Sequence, residues 1–223
     1  MCGRYALTLP PDAMRAMFAA TSVDNDLPEG PNWNVCPTVR VPAIARADEG
    51  RRLTSFRWGL VPRWYEKPNG GPLLINARAE GIAEKPAFRE AVRERRCLVP
   101  ADGFYEWTKD VDGARLPWWV TRRDGAPMVF GGIWQNWARG GEEMATMAIV
   151  TVPAGPDVEA IHHRQPLLLS PEDWPLWLGE EGHGAARLMA PSPAGTMGAV
   201  RVGTEVNSNR ATGEGLIRPL NPA

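Results

Sequence analysis

A cysteine in second position is the residue best suited to unusual chemistry in this 223-residue chain. Loss of Met1, which small second residues generally permit, leaves Cys2 with a free α-amine beside its thiol. Such an amine has a reference pKa of about 7.7–8.0, so roughly 15% is unprotonated at pH 7, against under about 0.1% of a lysine. A free amine adds to an aldehyde to give a Schiff base, and the neighbouring thiol then closes a five-membered thiazolidine ring. Alternatively, the thiolate alone attacks an acyl carbon, as in cysteine hydrolases. Position alone leaves both routes open, beside a cysteine with no chemical role.

Acid–base partners are few. The histidines are His162, His163 and His183. His183 sits in Glu-Gly-His-Gly, which reads as an exposed turn. His162 and His163 are adjacent, so on a strand or turn they face opposite ways and at most one need enter a site. Glu106 is flanked by Phe104, Tyr105 and Trp107. A carboxylate among aromatics either alternates out to solvent or is buried with a raised pKa.

Several classes are excluded. The chain has no CxxC or HExxH, and its three cysteines (Cys2, Cys36, Cys97) lie more than 30 residues apart, so neither a metal site nor a disulfide framework is expected. No Walker or Rossmann glycine pattern points to a bound cofactor, and none is expected. No apolar run approaches a membrane span, and Arg4 and Asp12 bracket a short, proline-broken start unlike a signal peptide. The expectation is a cytoplasmic protein without membrane contact.

The net charge of −1 argues against coating nucleic acid by bulk charge. Its distribution is uneven: residues 40–100 hold 13 Lys and Arg against 7 Asp and Glu. Of 25 basic residues only Lys67, Lys85 and Lys109 are lysines, and arginine suits bidentate phosphate contact. A coding bias toward arginine accounts for the same composition.

The elements that would carry these residues are mostly short strands. Pro10-Pro11 opens a short helix through Met14, Met17 and Phe18. Residues 24–42 read as loop. Strands are expected at Phe56–Val61, Leu73–Ile75, Cys97–Val99, Phe104–Thr108, Trp118–Val120, Met128–Trp134, Met144–Val152 and Leu167–Leu169, with turns at Asp102-Gly103 and Asp112-Gly113. Helices are expected at Pro86–Arg95, Asp157–Ile161 and Pro171–Trp177. Gly131-Gly132 inside a strand suggests close packing. Many strands, few helices and no βαβ rhythm indicate an α+β, mainly β single domain over residues 1–223, with a tail of about ten residues.

The sequence resembles SRAP proteins (SOS-response-associated peptidase, abasic-site processing). The resemblance is carried by Cys2-Gly3-Arg4-Tyr5, Trp33-Asn34-Val35-Cys36-Pro37-Thr38, Trp58-Gly59-Leu60-Val61-Pro62 and Asn76-Ala77-Arg78-Ala79-Glu80. It continues through Pro86-Ala87-Phe88-Arg89, the block from Arg96 to Trp107, and Ile161-His162-His163-Arg164. It spans the chain nearly from end to end.

The resemblance implies a compact fold with a β-barrel-like core. It implies a monomer that removes its own Met1, binds single-stranded DNA and traps abasic sites through Cys2. The implied site residues are Cys2, Asn76, Glu106 and His162. Arg4 and Arg78 match phosphate-contacting arginines, and Trp58 and Trp64 are the expected exposed tryptophans that stack on bases. Implied activities are self-directed peptidase and lyase chemistry. A thiol peptidase acting on other proteins, with a Cys2/His162 dyad, and a plain single-strand binder are the alternatives. Two positions depart from the pattern: Gln165 stands where the family has Met, and Gly81 where it has Thr. Gln165 is expected to alter packing behind His162, and Gly81 to loosen the loop after Asn76.

Overall fold

The computed structural model describes residues 2–220; the expected loss of Met1 and the last three residues of the expected tail lie outside them. β1 (Tyr5–Leu7) is followed by α1 (Pro11–Met17), which has proline in its first turn. Next come β2 (Ala20–Val23), β3 (Asn32–Val35), β4 (Arg40–Ala47), β5 (Gly50–Trp58), β6 (Asn76–Arg78) and α2 (Arg89–Glu94). The chain continues through β7 (Arg96–Ala101), β8 (Gly103–Lys109), β9 (Arg115–Arg122), β10 (Met128–Arg139) and β11 (Glu142–Pro153). It ends with β12 (Arg164–Pro166), α3 (Trp174–Leu178) and β13 (Met197–Arg201). The fold is mainly β with a few short helices, as expected.

The strands form two sheets. One runs in the order β12-β11-β10-β7-β4-β5-β2, with β6 alongside β11. A parallel pairing of β5 with β11, Arg57 opposite Thr146 and Trp58 opposite Met147, joins this sheet to itself. Five strands thereby close into a small barrel, and closure removes the open edges that a flat sheet would present. So small a barrel is filled by side chains, and Ile44, Leu53, Leu98, Phe130 and Ile149 from its strands are fully buried. The second sheet runs β13-β9-β8-β1-β3.

Gly131 and Gly132 show why small residues are needed on β10. A Cβ on Gly131 would lie 2.7 Å from Leu167 Cδ2, and one on Gly132 would lie 2.8 Å from Cys97 Sγ. The core has already closed onto the backbone there.

Four local expectations are corrected. Residues 24–42 are not all loop, because β3 and the start of β4 lie within them; β3 is held by β1, with Tyr5 opposite Val35. Asp102-Gly103 is not a hairpin turn. β7 pairs with β4 and β10, β8 pairs with β1 and β9, and Asp102 carries the chain from one sheet to the other. Asp157 does not cap a helix; its carboxylate accepts from the backbone N–H groups of Gly195 (2.9 Å) and Met197 (2.8 Å), and residues 156–161 form turns. The expected tail is part of the fold through Leu220, since a 3₁₀ turn at Glu214–Ile217 buries Leu216 and the Leu220 N–H donates to Arg201 O at 2.9 Å.

Candidate functional site

β1 is the element that places Cys2. It pairs with β3 on one side and β8 on the other, with Tyr5 opposite Phe104, and the Tyr105 N–H donates to Arg4 O at 2.9 Å. Continuing that register sets Glu106, in the middle of β8, beside Gly3. Cys2 is fully buried and Glu106 is 3% exposed.

Asn76 reaches the same place from the other sheet. It opens β6, opposite Ile149 of β11, and its Nδ2 donates to the Cys2 carbonyl oxygen at 2.8 Å. The Asn76 Oδ1 is buried and has no hydrogen-bond partner among the described residues. His162 enters from the turn between β11 and β12. Its Nδ1 lies 3.0 Å from the Arg164 backbone N–H and 3.1 Å from the Arg164 carbonyl oxygen. The neutral ring accepts from the first and the protonated ring donates to the second, so either state keeps a partner. The exposed His163 stacks on His162 with ring centroids 4.3 Å apart.

Electrostatics link three of these residues. Burial pushes the Cys2 thiol well above the ordinary range, and the Glu106 carboxylate pushes it further. Burial lowers the His162 pKa, while the same carboxylate opposes that shift. Glu106 therefore acts on both the Cys2 thiol and the His162 imidazole. A cleft of about 360 Å³ opens beside them, lined by Gly3, Arg4, Glu106, Trp107, Thr108, Lys109, Arg115 and His162. A larger groove of about 900 Å³ lies between α2 and residues 183–191, and none of the four site residues lines it.

The expected nucleic-acid contacts divide. Arg78 is exposed at the end of β6, two residues from Asn76. Trp64 is 53% exposed. Trp58 is corrected: it is fully buried, its ring packs on Tyr5 and its indole N–H donates to Ile75 O at 2.9 Å, so no base can stack on it. The β5–β11 closure, which brings Trp58 beside Met147, buries this side chain. Arg4 lines the cleft but is largely held within the fold. It is 9% exposed, and its Nη1 donates to Asn34 Oδ1 (2.7 Å), Val206 O (2.8 Å) and Ser208 O (3.4 Å). It forms part of the cleft wall while tying β1 to β3 and the C-terminal segment.

Other residues that build the site were not singled out from sequence. Arg164 makes a two-pronged ion pair with Glu80 (2.6 and 2.9 Å) and also donates to Thr151 O at 2.6 Å. That pair joins the turn after β6 to β12, the strand after His162. Arg115 lies 4.5 Å over the Trp107 ring, and Trp107 Nε1 donates to Asn207 Oδ1 at 2.6 Å. Arg115 and Lys109 put cationic charge on the cleft rim. The alternation of Glu106 and Thr108 along β8 was a usable signal for Thr108. Arg115 gave none, because only the β8–β9 hairpin brings it there.

A family model described as SOS response associated peptidase (SRAP) matches residues 1–209. The chain belongs to the SRAP family. This SRAP chain is 33% identical over 224 residues to "Abasic site processing protein YoqW" of Bacillus subtilis, covering 97% of this chain and 99% of the relative. It is 32% identical over 228 residues to "Abasic site processing protein YedK" of Escherichia coli, covering 99% and 100% of the two chains. A crystal structure of a Bacteroides thetaiotaomicron protein matches the SRAP fold seen here with a TM-score of 0.85 at 25% identity, over 99% of this chain and 100% of the other.

Proposed function

We propose that the protein binds single-stranded DNA and captures abasic sites covalently through Cys2 after Met1 has been hydrolysed away. Membership of the SRAP family and the names of the relatives support handling of abasic DNA. The observation that carries the chemistry is the convergence on Cys2. The Asn76 amide holds its carbonyl at 2.8 Å, and the Glu106 carboxylate acts on both its thiol and His162.

The steps follow from those groups. The abasic sugar is a closed hemiacetal, and His162 passes a proton as the ring opens to the aldehyde. Glu106 takes a proton from the Cys2 ammonium, and the amine adds to the aldehyde carbon. The carbinolamine loses water to give a Schiff base. The thiol then adds across the carbon–nitrogen double bond, its sulfur on carbon and its proton on nitrogen, closing the thiazolidine. Asn76 Oδ1, which is buried and has no hydrogen-bond partner among the described residues, accepts from the amine and orients it. Loss of a proton from the sugar carbon next to the Schiff base would instead expel the 3′ phosphate, which is the lyase branch. The alternative, a thiol peptidase acting through Cys2 and His162, needs a thiolate, and burial opposes thiolate formation at Cys2.

Exposed Arg78 and the cationic rim of Arg115 and Lys109 hold flanking phosphates, and Trp64 stacks on a base. The protein acts as a cytoplasmic monomer in this scheme. The test is a denaturing gel after incubation with single-stranded oligonucleotides. A heat-stable adduct is expected with an abasic oligonucleotide and not with an intact one. No adduct from protein shown by mass spectrometry to lack Met1 would refute the proposal.

A further inference from the structure

The turn that delivers His162 is not part of a helix or a ladder, yet four backbone bonds hold it. The Gly155 carbonyl accepts from Val158 N–H (3.1 Å) and Glu159 N–H (3.0 Å), and the Val158 carbonyl accepts from Ile161 N–H (2.8 Å) and His162 N–H (3.0 Å). This chain starts at Gly155, whose own N–H is held by a side chain. Gln165 Oε1 accepts it at 2.7 Å, and Gln165 Nε2 donates to Ser192 Oγ at 2.7 Å. The amide orientation is set by chemistry, since a backbone N–H can only donate.

Gln165 is fully buried on β12, one residue after the Arg164 whose N–H meets the His162 ring. Its backbone is fixed by the ladder to β11, with Gln165 opposite Val152. Its side chain is therefore a strut from a rigid strand to the head of the turn. The segment beyond Ser192 grips the same turn a second time, through the Asp157 carboxylate on Gly195 N–H and Met197 N–H. Gly155 has no spare room, because a Cβ there would lie 2.8 Å from Ser192 O.

We propose that Gln165 is a positioning residue for His162: by bridging Gly155 and Ser192 it fixes the 155–162 turn and so the place of the imidazole at the cleft. This rests on the proposed chemistry only for its effect on rate. The placement of the ring can be read without any DNA.

The experiment compares Gln165→Met, Gln165→Glu and Ser192→Ala with the parent protein, reading histidine ring titration by NMR alongside adduct formation. Met matches Gln in length but leaves the Gly155 N–H and the Ser192 hydroxyl without their partners. Glu keeps both bonds in either protonation state, since a carboxylate accepts from both groups and a carboxylic acid accepts from one and donates to the other. The charged and titratable groups around His162 are Glu106, Cys2, His163, Arg4, Lys109, Arg115 and Arg164; all are unchanged in these variants, and Gln165→Glu alone adds a carboxyl. His162→Ala assigns the signal, and exposed His183 is the internal control.

The expected result for Gln165→Met is a His162 titration midpoint moved up toward the ordinary imidazole value and adduct formation slowed about tenfold at unchanged DNA affinity. Gln165→Glu should restore the rate, and Ser192→Ala should move both readouts in the same direction as Gln165→Met by less. If Gln165→Met does not fold, Ser192→Ala alone decides by the same two readouts. A native His162 titration and native rate in a folded variant, whatever its melting temperature, would overturn the proposal. If the parent protein forms no adduct, the proposed function fails while the titration still reports on Gln165.

Discussion

The wall carrying Glu106 is a strand held on both sides, whereas the wall carrying His162 is a turn closed by its own backbone bonds and anchored to its neighbours by side chains. β8 is paired by β1 and by β9, so its backbone is fixed by ladder bonds that no single side chain controls. The His162 turn depends on Gln165 at one end and on Arg164, with its Glu80 partner, at the other. Ladder positions tolerate substitution of their neighbours; strutted positions do not. The two walls should therefore respond differently to changes one residue away from the chemistry.

The largest expected effect falls on the residue between the walls. Cys2→Ala should abolish the heat-stable adduct while single-strand affinity stays within a few-fold. An extra residue placed before Cys2 by a non-removable tag turns the amine into an amide and leaves the thiol free. That protein should also bind DNA and form no adduct. An adduct of undiminished stability from the blocked protein would transfer the chemistry to the thiol alone and favour the peptidase alternative.

Next come the two walls themselves. Glu106→Gln and His162→Ala should each slow adduct formation by about 10²-fold, the usual effect of losing a positioned acid or base. Their pH dependence should separate them. Burial holds the His162 pKa below the ordinary imidazole value, which favours the neutral ring at pH 7. The parent rate should fall on acidification through that pKa, and His162→Ala should remove that limb from the profile. His163→Ala should be nearly silent; a severe His163 defect beside a normal His162→Ala would reassign the role to the neighbour.

A smaller effect is expected from Glu80→Gln, which loosens only the strutted wall. The Arg164 guanidinium holds the Glu80 carboxyl below its ordinary value. A depressed folded pKa contributes stability above the unfolded value and loses it as pH falls through the folded one. Adduct formation by Glu80→Gln should be several-fold slower at neutral pH, and its rate and melting temperature should approach those of the parent as pH drops below the ordinary carboxylate range. A constant difference at all pH values would mean that the ion pair does not brace the turn.

The same division between ladders and struts governs what could be read from the sequence. Pro11 marked α1, Asp112-Gly113 marked the β8–β9 hairpin, and Gly131-Gly132 marked close packing, because each acts through its own backbone. Cys2, Glu106 and His162 were legible as chemistry and, through the resemblance, as a set with Asn76. Trp58 was misread because the parallel β5–β11 pairing that buries it joins residues nearly ninety positions apart. The ties of Arg4 to Asn34, Val206 and Ser208 were not legible either, because these partners lie 30, 202 and 204 positions away. Gln165 stood out only as a departure from a pattern; its two bonds reach Gly155 and Ser192, and no local signal announces them.

The smallest effect on chemistry separates two arginines that look alike in sequence. Arg78 is exposed at the end of β6, whereas Arg4 is buried with its guanidinium on Asn34 and on two carbonyls. A phosphate contact releases counterions, so Arg78→Ala should weaken single-strand binding a few-fold across sequences and flatten the salt dependence by about 0.7 units of slope. Its melting temperature should be that of the parent. Arg4→Ala removes a charged donor from buried acceptors, and hydrogen bonds of that kind are worth about 1.5–3 kcal/mol. It should lower the melting temperature by several degrees, while its salt slope changes less than that of Arg78→Ala. A parent-like melting temperature with a flattened slope for Arg4→Ala would show that its remaining guanidinium nitrogens face DNA, and that the buried ties contribute little to holding β1.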